Sequence, residues 1–261
     1  QEAVNLDPSD SGSWINVSLT YGRQERLAEA VDVLRQGIET IPGDPELRLY
    51  LGSVFLSQKK FKQAISEFKK AVDIDESYPK SWISLAYAYI DQGKKKDGVE
   101  ALEQAIDLIP NDLELRLNLA DIYMDGQEYT MAIEQFQKVV SLDQNDTRGW
   151  INLSLAYMQQ DKYAQAEQIL TQAIGILPNN HDLHLYLGVN YMSQGSYDRA
   201  SDQFQHVIDL NGRDGRAWLN LGLVQMRQEQ YDEGARIFQE AIEAVPDNAE
   251  LWFYLGYAYT E

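Results

Sequence analysis

Apolar and polar positions along the chain follow one pattern that returns every 34 residues. Laid at that period, successive units open near Ser11, Pro45, Pro79, Leu113, Thr147, His181, Gly215 and Ala249, with no insertion or deletion. From the second unit onward the seventh position is leucine, and a small residue follows it: Gly52, Ala86, Ala120, Ser154, Gly188, Gly222 and Gly256. The eleventh position is aromatic except at Gln225: Tyr21, Phe55, Tyr89, Tyr123, Tyr157, Tyr191 and Tyr259. The twentieth is small (Ala30, Ala64, Gly98, Ala132, Ala166, Ala200, Gly234). Large residues follow four places later: Leu34, Phe68, Leu102, Phe136, Leu170, Phe204 and Phe238. A second period of 68 lies over the first, carried by Trp14, Trp82, Trp150 and Trp218 and by Pro42, Pro110, Pro178 and Pro246.

These intervals predict two helices per unit. Trp or Arg, Leu, Gly/Ala and Tyr at steps of three, one and three share one face of a first helix. Small residues at the eighth and twentieth positions let two helix backbones approach closely, and the large ones fill the space between. Asp/Asn and Gly near each unit's end, often with Pro, are expected to stop the second helix before the next begins. Such a pair cannot bury its apolar face alone, so stacked neighbours share a core. The second position alternates in sign (Glu46, Lys80, Glu114, Arg148, Asp182, Arg216, Glu250), which is either a ladder of opposite charges or a relic of duplication.

The order Trp, Leu-Gly, Tyr, Ala, Phe, Pro over 34 residues resembles the tetratricopeptide repeat family, and the resemblance covers essentially the whole chain. It implies an all-α, right-handed superhelical solenoid of antiparallel helix pairs. Residues 1–10, through Ala3, Leu6 and Pro8, read as the end of a preceding repeat. Full repeats follow at 11–44, 45–78, 79–112, 113–146, 147–180, 181–214 and 215–248, and 249–261 is the first helix of a further repeat. Gln225, Gly98, Gly234 and the run Lys94–Lys96 depart from the pattern and loosen the expectation for the third repeat.

The resemblance also implies a role: a non-catalytic scaffold that holds a protein or an extended peptide in a concave groove lined by the first helices. The peptide-binding candidates are Asn16, Asn118, Asn152 and Asn220 with Tyr50 and Tyr186 at the sixth position, and Met124, Met158, Met192 and Met226 at the twelfth. Fifth-position residues from Ile15 and Leu49 to Phe253 stand beside them. Carboxamides can donate to and accept from a peptide backbone whatever its side chains. Methionine and tyrosine add adaptable apolar contact. The asparagine recurrence resembles the groove ladder in the repeat arm of O-linked N-acetylglucosamine transferase. Two other roles compete: a structural array that self-associates through its terminal repeats, where Trp252, Phe253, Tyr254 and Tyr257 stand, and the substrate-recruiting arm of a larger enzyme.

Charge sharpens the partner. Residues 1–96 hold 13 basic and 14 acidic residues, whereas 97–261 hold 9 and 27. A field of that sign favours a basic or neutral peptide and opposes nucleic acid and anionic membranes. The one basic region, Lys59–Lys96, is expected to be a solvated face and not a nucleic-acid site. Zero cysteines exclude a thiolate metal site, and the lone pair His181 and His184 does not make a metal centre, so neither metal nor cofactor is expected. No phosphate loop, nucleophile elbow or HExxH motif occurs, and no run of about 18 apolar residues suits a membrane span.

Overall fold

The computed structural model describes residues 7–260; Ala3 and Leu6 lie outside them. The described residues form fifteen helices and no strand. By their contacts they fall into two compact units, Gln1–Ile122 and Tyr123–Glu261.

The first unit holds α1 (Ser11–Arg23), α2 (Leu27–Thr40), α3 (Pro45–Ser57), α4 (Phe61–Ile74), α5 (Pro79–Asp91), α6 (Lys95–Leu108) and most of α7 (Leu113–Asp125). From α1 to α6 each helix packs on the next, and the first helices of neighbouring repeats also touch, α1 on α3 and α3 on α5. The Lys94 region brings no break, since α6 starts at Lys95 and packs on α5. The second unit runs through α8 (Tyr129–Leu142), α9 (Thr147–Met158), α10 (Tyr163–Ile176), α11 (His181–Ser193), α12 (Tyr197–Leu210), α13 (Gly215–Arg227), α14 (Tyr231–Ala244) and α15 (Ala249–Ala258). It repeats the scheme, with α9 on α11, α11 on α13 and α13 on α15.

The helix pairs lock through matched sizes. A Cβ added at Gly52, Gly188 or Gly222 would overlap the ring of Phe68, Phe204 or Phe238, each fully buried. Where the large residue is leucine, as at Leu34, Leu102 and Leu170, the first helix carries Ser18, Ala86 or Ser154. Gly98 is not a loosened alanine. A Cβ there would come within 2.7 Å of the Ala86 carbonyl oxygen, so glycine is what lets α6 approach α5. Each buried phenylalanine contributes about 2–3 kcal/mol by leaving water.

The Asp/Asn residues that close each repeat act on the next helix instead of stopping the last one. Asp10, Asp44, Asp146, Asn180, Asp214 and Asn248 are N-caps whose side chains accept from the first backbone N–H groups of α1, α3, α9, α11, α13 and α15. Asp112 accepts from Leu115 N at 2.8 Å in the same way. Each cap is worth about 1 kcal/mol. The tryptophans also work at these joints. Nε1 of Trp14, Trp82, Trp150 and Trp218 donates to the carbonyl six residues earlier at 2.8–2.9 Å. Arg116 donates likewise to Pro110 O, and Trp252 to Pro246 O.

Between the two helices of each repeat the chain turns through a left-handed residue at one fixed place. Glu25, Lys59, Gly93, Gln127, Asp161, Gly195 and Glu229 all have φ between 56° and 83°.

Candidate functional site

The repeats present first-helix residues side by side, and one depression opens on that face of the first unit. Its cavity of about 320 Å³ is lined by Glu46, Leu49, Tyr50 and Ser53 of α3, and by Tyr78, Lys80, Ile83 and Ser84 at and after the start of α5. Fifth- and sixth-position residues of adjacent repeats meet here, with Tyr50 among them.

Tyr78 builds the wall. It stands where every other repeat has Asp or Asn, so α5 begins with no side-chain cap. Its hydroxyl reaches back one repeat and donates to Glu46 Oε1 at 2.6 Å. Burial, and then the Glu46 carboxylate, push the phenol well above its ordinary range, so it stays a donor. Lys80 Nζ lies 5.8 Å from the Tyr78 ring centroid. Ser53 Oγ donates to Leu49 O at 2.9 Å. The result is two aromatic and two aliphatic walls with a carboxylate and an ammonium at the rim.

The asparagines are held differently from the sequence expectation. Asn118 Nδ2 donates to Glu114 O at 2.7 Å, and Asn220 Nδ2 to Arg216 O at 2.9 Å. One N–H of each carboxamide is therefore taken by its own helix, and the second N–H and the Oδ1 acceptor are what each can offer. Asn152 is half-buried and Asn16 exposed. Tyr186 and Met192 are half-buried against the core of the second unit. Met124 and Met158 are half-buried as well. Met226 corrects the expectation: it is buried, packed with Ala235 and Phe238, and fills core. Ile15, Leu49, Leu117 and Leu185 at the fifth position are buried too, whereas Ile83, Ile151 and Leu219 are half-buried and Phe253 is exposed.

A rung of the expected charge ladder forms at Arg216. Arg216 reaches Asp182, one repeat earlier, at 2.8 Å and its own N-cap Asp214 at 2.7 Å. Burial alone pushes the Asp214 carboxyl up, but the Arg216 guanidinium and two backbone N–H groups outweigh it and hold the group below its ordinary value. Arg148 pairs with its own cap Asp146 at 2.7 Å. A further cluster was not legible in the sequence: Arg199 lies 3.9 Å over the Tyr191 ring and reaches Glu167 Oε1 at 2.5 Å. The one signal for the Tyr78 wall was available, since Tyr78 interrupts an otherwise unbroken Asp/Asn series at the last position of the repeat.

No group of three His, Asp or Glu side chains suited to a metal occurs among the described residues. His184 is engaged with Gln203 Oε1 at 2.9 Å and Pro178 O at 3.1 Å, and its ring stands 4.3 Å from that of His206. No helix among the described residues is long and apolar enough to cross a membrane.

Stacked antiparallel helix pairs define an α-helical repeat protein. Family models described as "Tetratricopeptide repeat" match residues 83–147, 119–181 and 219–261 in one case and 157–223 in another, so the chain belongs to the tetratricopeptide repeat family. A model of "Anaphase-promoting complex, cyclosome, subunit 3" matches residues 23–105. No curated protein matches the chain. Among solved structures, it is similar to the C-terminal part of a repeat-containing protein from Cytophaga hutchinsonii (TM-score 0.65, 12% identity, 92% of this chain and 99% of that one). It is also similar to a tetratricopeptide repeat protein from Parabacteroides merdae (0.59, 17%, 95% and 98%). A third likeness is to the APC/C hetero-tetramer Cut9-Hcn1 (0.54, 17%, 98% of this chain but 50% of that one). This fold is typical of protein–protein interaction.

Proposed function

We propose that the protein is a non-catalytic scaffold that binds an extended segment of a partner protein along its first helices. A side chain of the segment anchors in the depression between α3 and α5. The carrying observation is that depression: Leu49, Tyr50, Tyr78 and Ile83 supply apolar wall, and Glu46 and Lys80 supply a polar rim, which is the usual make-up of a small recognition site. Cut9, similar in fold, is seen in a hetero-tetramer with Hcn1, which is consistent with such a role. The second unit, taken by itself, offers Asn152 and Asn220 to the backbone of a bound segment, and the acidic balance of residues 97–261 favours a basic or neutral one. Asn118 does the same on α7.

A random peptide library displayed on phage and selected on the intact protein tests the reading. Enriched peptides should share a large apolar residue and lose about tenfold in affinity to Tyr50→Ala, a change of about 1.4 kcal/mol. Asn118→Ala should weaken peptides held by the first unit, and Asn152→Ala with Asn220→Ala those held by the second, while leaving helicity unchanged. Enriched peptides that bind the Tyr50→Ala protein equally well would sink the anchor.

A second reading, self-association, has its own observation. Trp252, Phe253 and Tyr259 are 55%, 67% and 64% exposed, and nothing lies within 4 Å of a Cβ built at Gly256, where Gly52, Gly188 and Gly222 each face a phenylalanine ring. An apolar face of this kind is a common association site. Sedimentation that shows a monomer at high concentration removes it.

A further inference from the structure

Nine of the chain's eleven lysines fall between Lys59 and Lys96, among only five carboxylates, in a chain whose net charge is −19. Three of them gather at the turn between α3 and α4. Lys59, Lys60 and Lys62, with Phe61, Gln63 and Gln92, line a depression of about 370 Å³. Gln92 belongs to the next repeat's turn, so two successive turns border the same hollow.

The three lysines are exposed and none makes an ion pair. Glu67, the one carboxylate on α4's first two turns, is already held by Arg48 at 3.0 Å and Lys70 at 2.5 Å. Lys94 and Lys96 in the following turn meet Asp97 and Glu100 only at 4.0 and 3.6 Å, with Lys96 89% exposed. Such loose pairs contribute little and leave the cations open to another partner. Elsewhere the matching turns read Gln127-Glu128, Asp161-Lys162, Gly195-Ser196 and Glu229-Gln230, so the feature belongs to these two repeats and not to the scaffold.

We propose that this lysine-lined edge binds a short acidic segment of a partner protein. Lysines are point charges that accept carboxylates in many geometries, and half-buried Phe61 gives the hollow an apolar floor for the segment's methylenes. Length decides between anionic partners. A nucleic acid carries a charge about every 1.7 Å of duplex and continues past the lysines, where it meets the repulsion of a strongly acidic chain. A short acidic segment brings only the charges the lysines can neutralise. The edge lies on the helix–helix turns, apart from the Tyr50 depression on the first-helix face, and stands without the groove reading.

The test is fluorescence anisotropy with a labelled oligoglutamate peptide and the intact chain, at low salt and again at physiological salt. Saturable binding is expected, weakened by salt. It should fall about tenfold or more in the triple variant Lys59→Glu, Lys60→Glu, Lys62→Glu. Lys138→Glu and Tyr50→Ala should leave it unchanged. The triple glutamine variant keeps the test valid if the glutamate one misfolds, and should also lose binding. Equal binding by the triple variants, or no saturable binding at low salt, overturns the proposal. So does tighter binding of oligothymidylate or phosphatidylserine vesicles than of the peptide at equal ionic strength. A lysine-dependent dimer seen by sedimentation would assign the edge to a second copy and overturn it as well.

Discussion

The two units solve one local problem in opposite ways. In the first, Glu46, Tyr50, Tyr78 and Lys80 surround an open depression. Four repeats on, in the second, the same places hold Asp182, Tyr186, Asp214 and Arg216. There the last residue of the repeat is aspartate, which caps α13, and Arg216 bridges it to Asp182. Replacing the cap by tyrosine forfeits about 1 kcal/mol of helix stability but erects a wall and lets the cation swing aside. A helix cap and an open depression thus compete for a single position of the repeat, and the fold tolerates either choice because the core behind it is unchanged.

If that core is common to both units, Gly52→Ala and Gly188→Ala should cost the same, about 1–3 kcal/mol each, through overlap with Phe68 and Phe204. Adding Phe204→Leu should recover much of the loss in the second unit, as the Ser154–Leu170 pairing suggests. Urea denaturation measures both, and clearly unequal costs break the comparison. Asp214→Ala should cost about 2 kcal/mol, because it removes a cap and strips Arg216 of a buried partner. Tyr78→Asp should do the reverse in the first unit, adding about 1 kcal/mol while abolishing selection of anchored peptides. A variant that keeps the peptides would show that Tyr78 is not the wall.

Smaller effects sharpen the contrast. Arg216→Ala breaks an exposed bond to Asp182 and part-buried ones to Asp214 but keeps the cap, so it should cost about 1 kcal/mol, less than Asp214→Ala, and should make Tyr186 more accessible, as iodide quenching of tyrosine emission would register. Acid titration should separate the caps. The carboxyls of Asp146, held down chiefly by Arg148, and of Asp214 lie below their ordinary values when folded. Their contribution is complete above the unfolded value near 4 and is lost as pH falls through the folded one. The Asp146→Asn, Asp214→Asn double variant should therefore melt with a flatter dependence on pH in that range than the parent. An unchanged slope would mean that other carboxyls dominate.

The architecture was legible because it rests on spacing. Leucine, glycine or alanine, and tyrosine at fixed intervals fix which face is buried, and Gly52 with Phe68 is readable as a size match. What escaped was chemistry between repeats. The Asp and Asn residues looked like helix stops, since sequence order places them after one helix without saying which helix they serve. Met226 looked like its groove counterparts, although Gly234 in place of alanine leaves room into which it packs. The left-handed residue at each turn was invisible, because Glu25, Lys59, Gln127, Asp161 and Glu229 share a conformation and no side-chain type. The Tyr50 depression depends on Tyr78 meeting Glu46 across 32 residues, which no local pattern reveals.

The indole bonds at the repeat joints act as a gauge of chain length. Each reaches back six residues to a carbonyl at 2.8–2.9 Å, closing a small ring around the joint. One residue more or fewer in that ring would carry the acceptor out of reach and leave the next aspartate facing the wrong backbone group. Drift in spacing is therefore penalised at each tryptophan joint separately, before any loss of core is felt. That is a physical reason why the period of 34 runs from Ser11 to Ala249 without a slip.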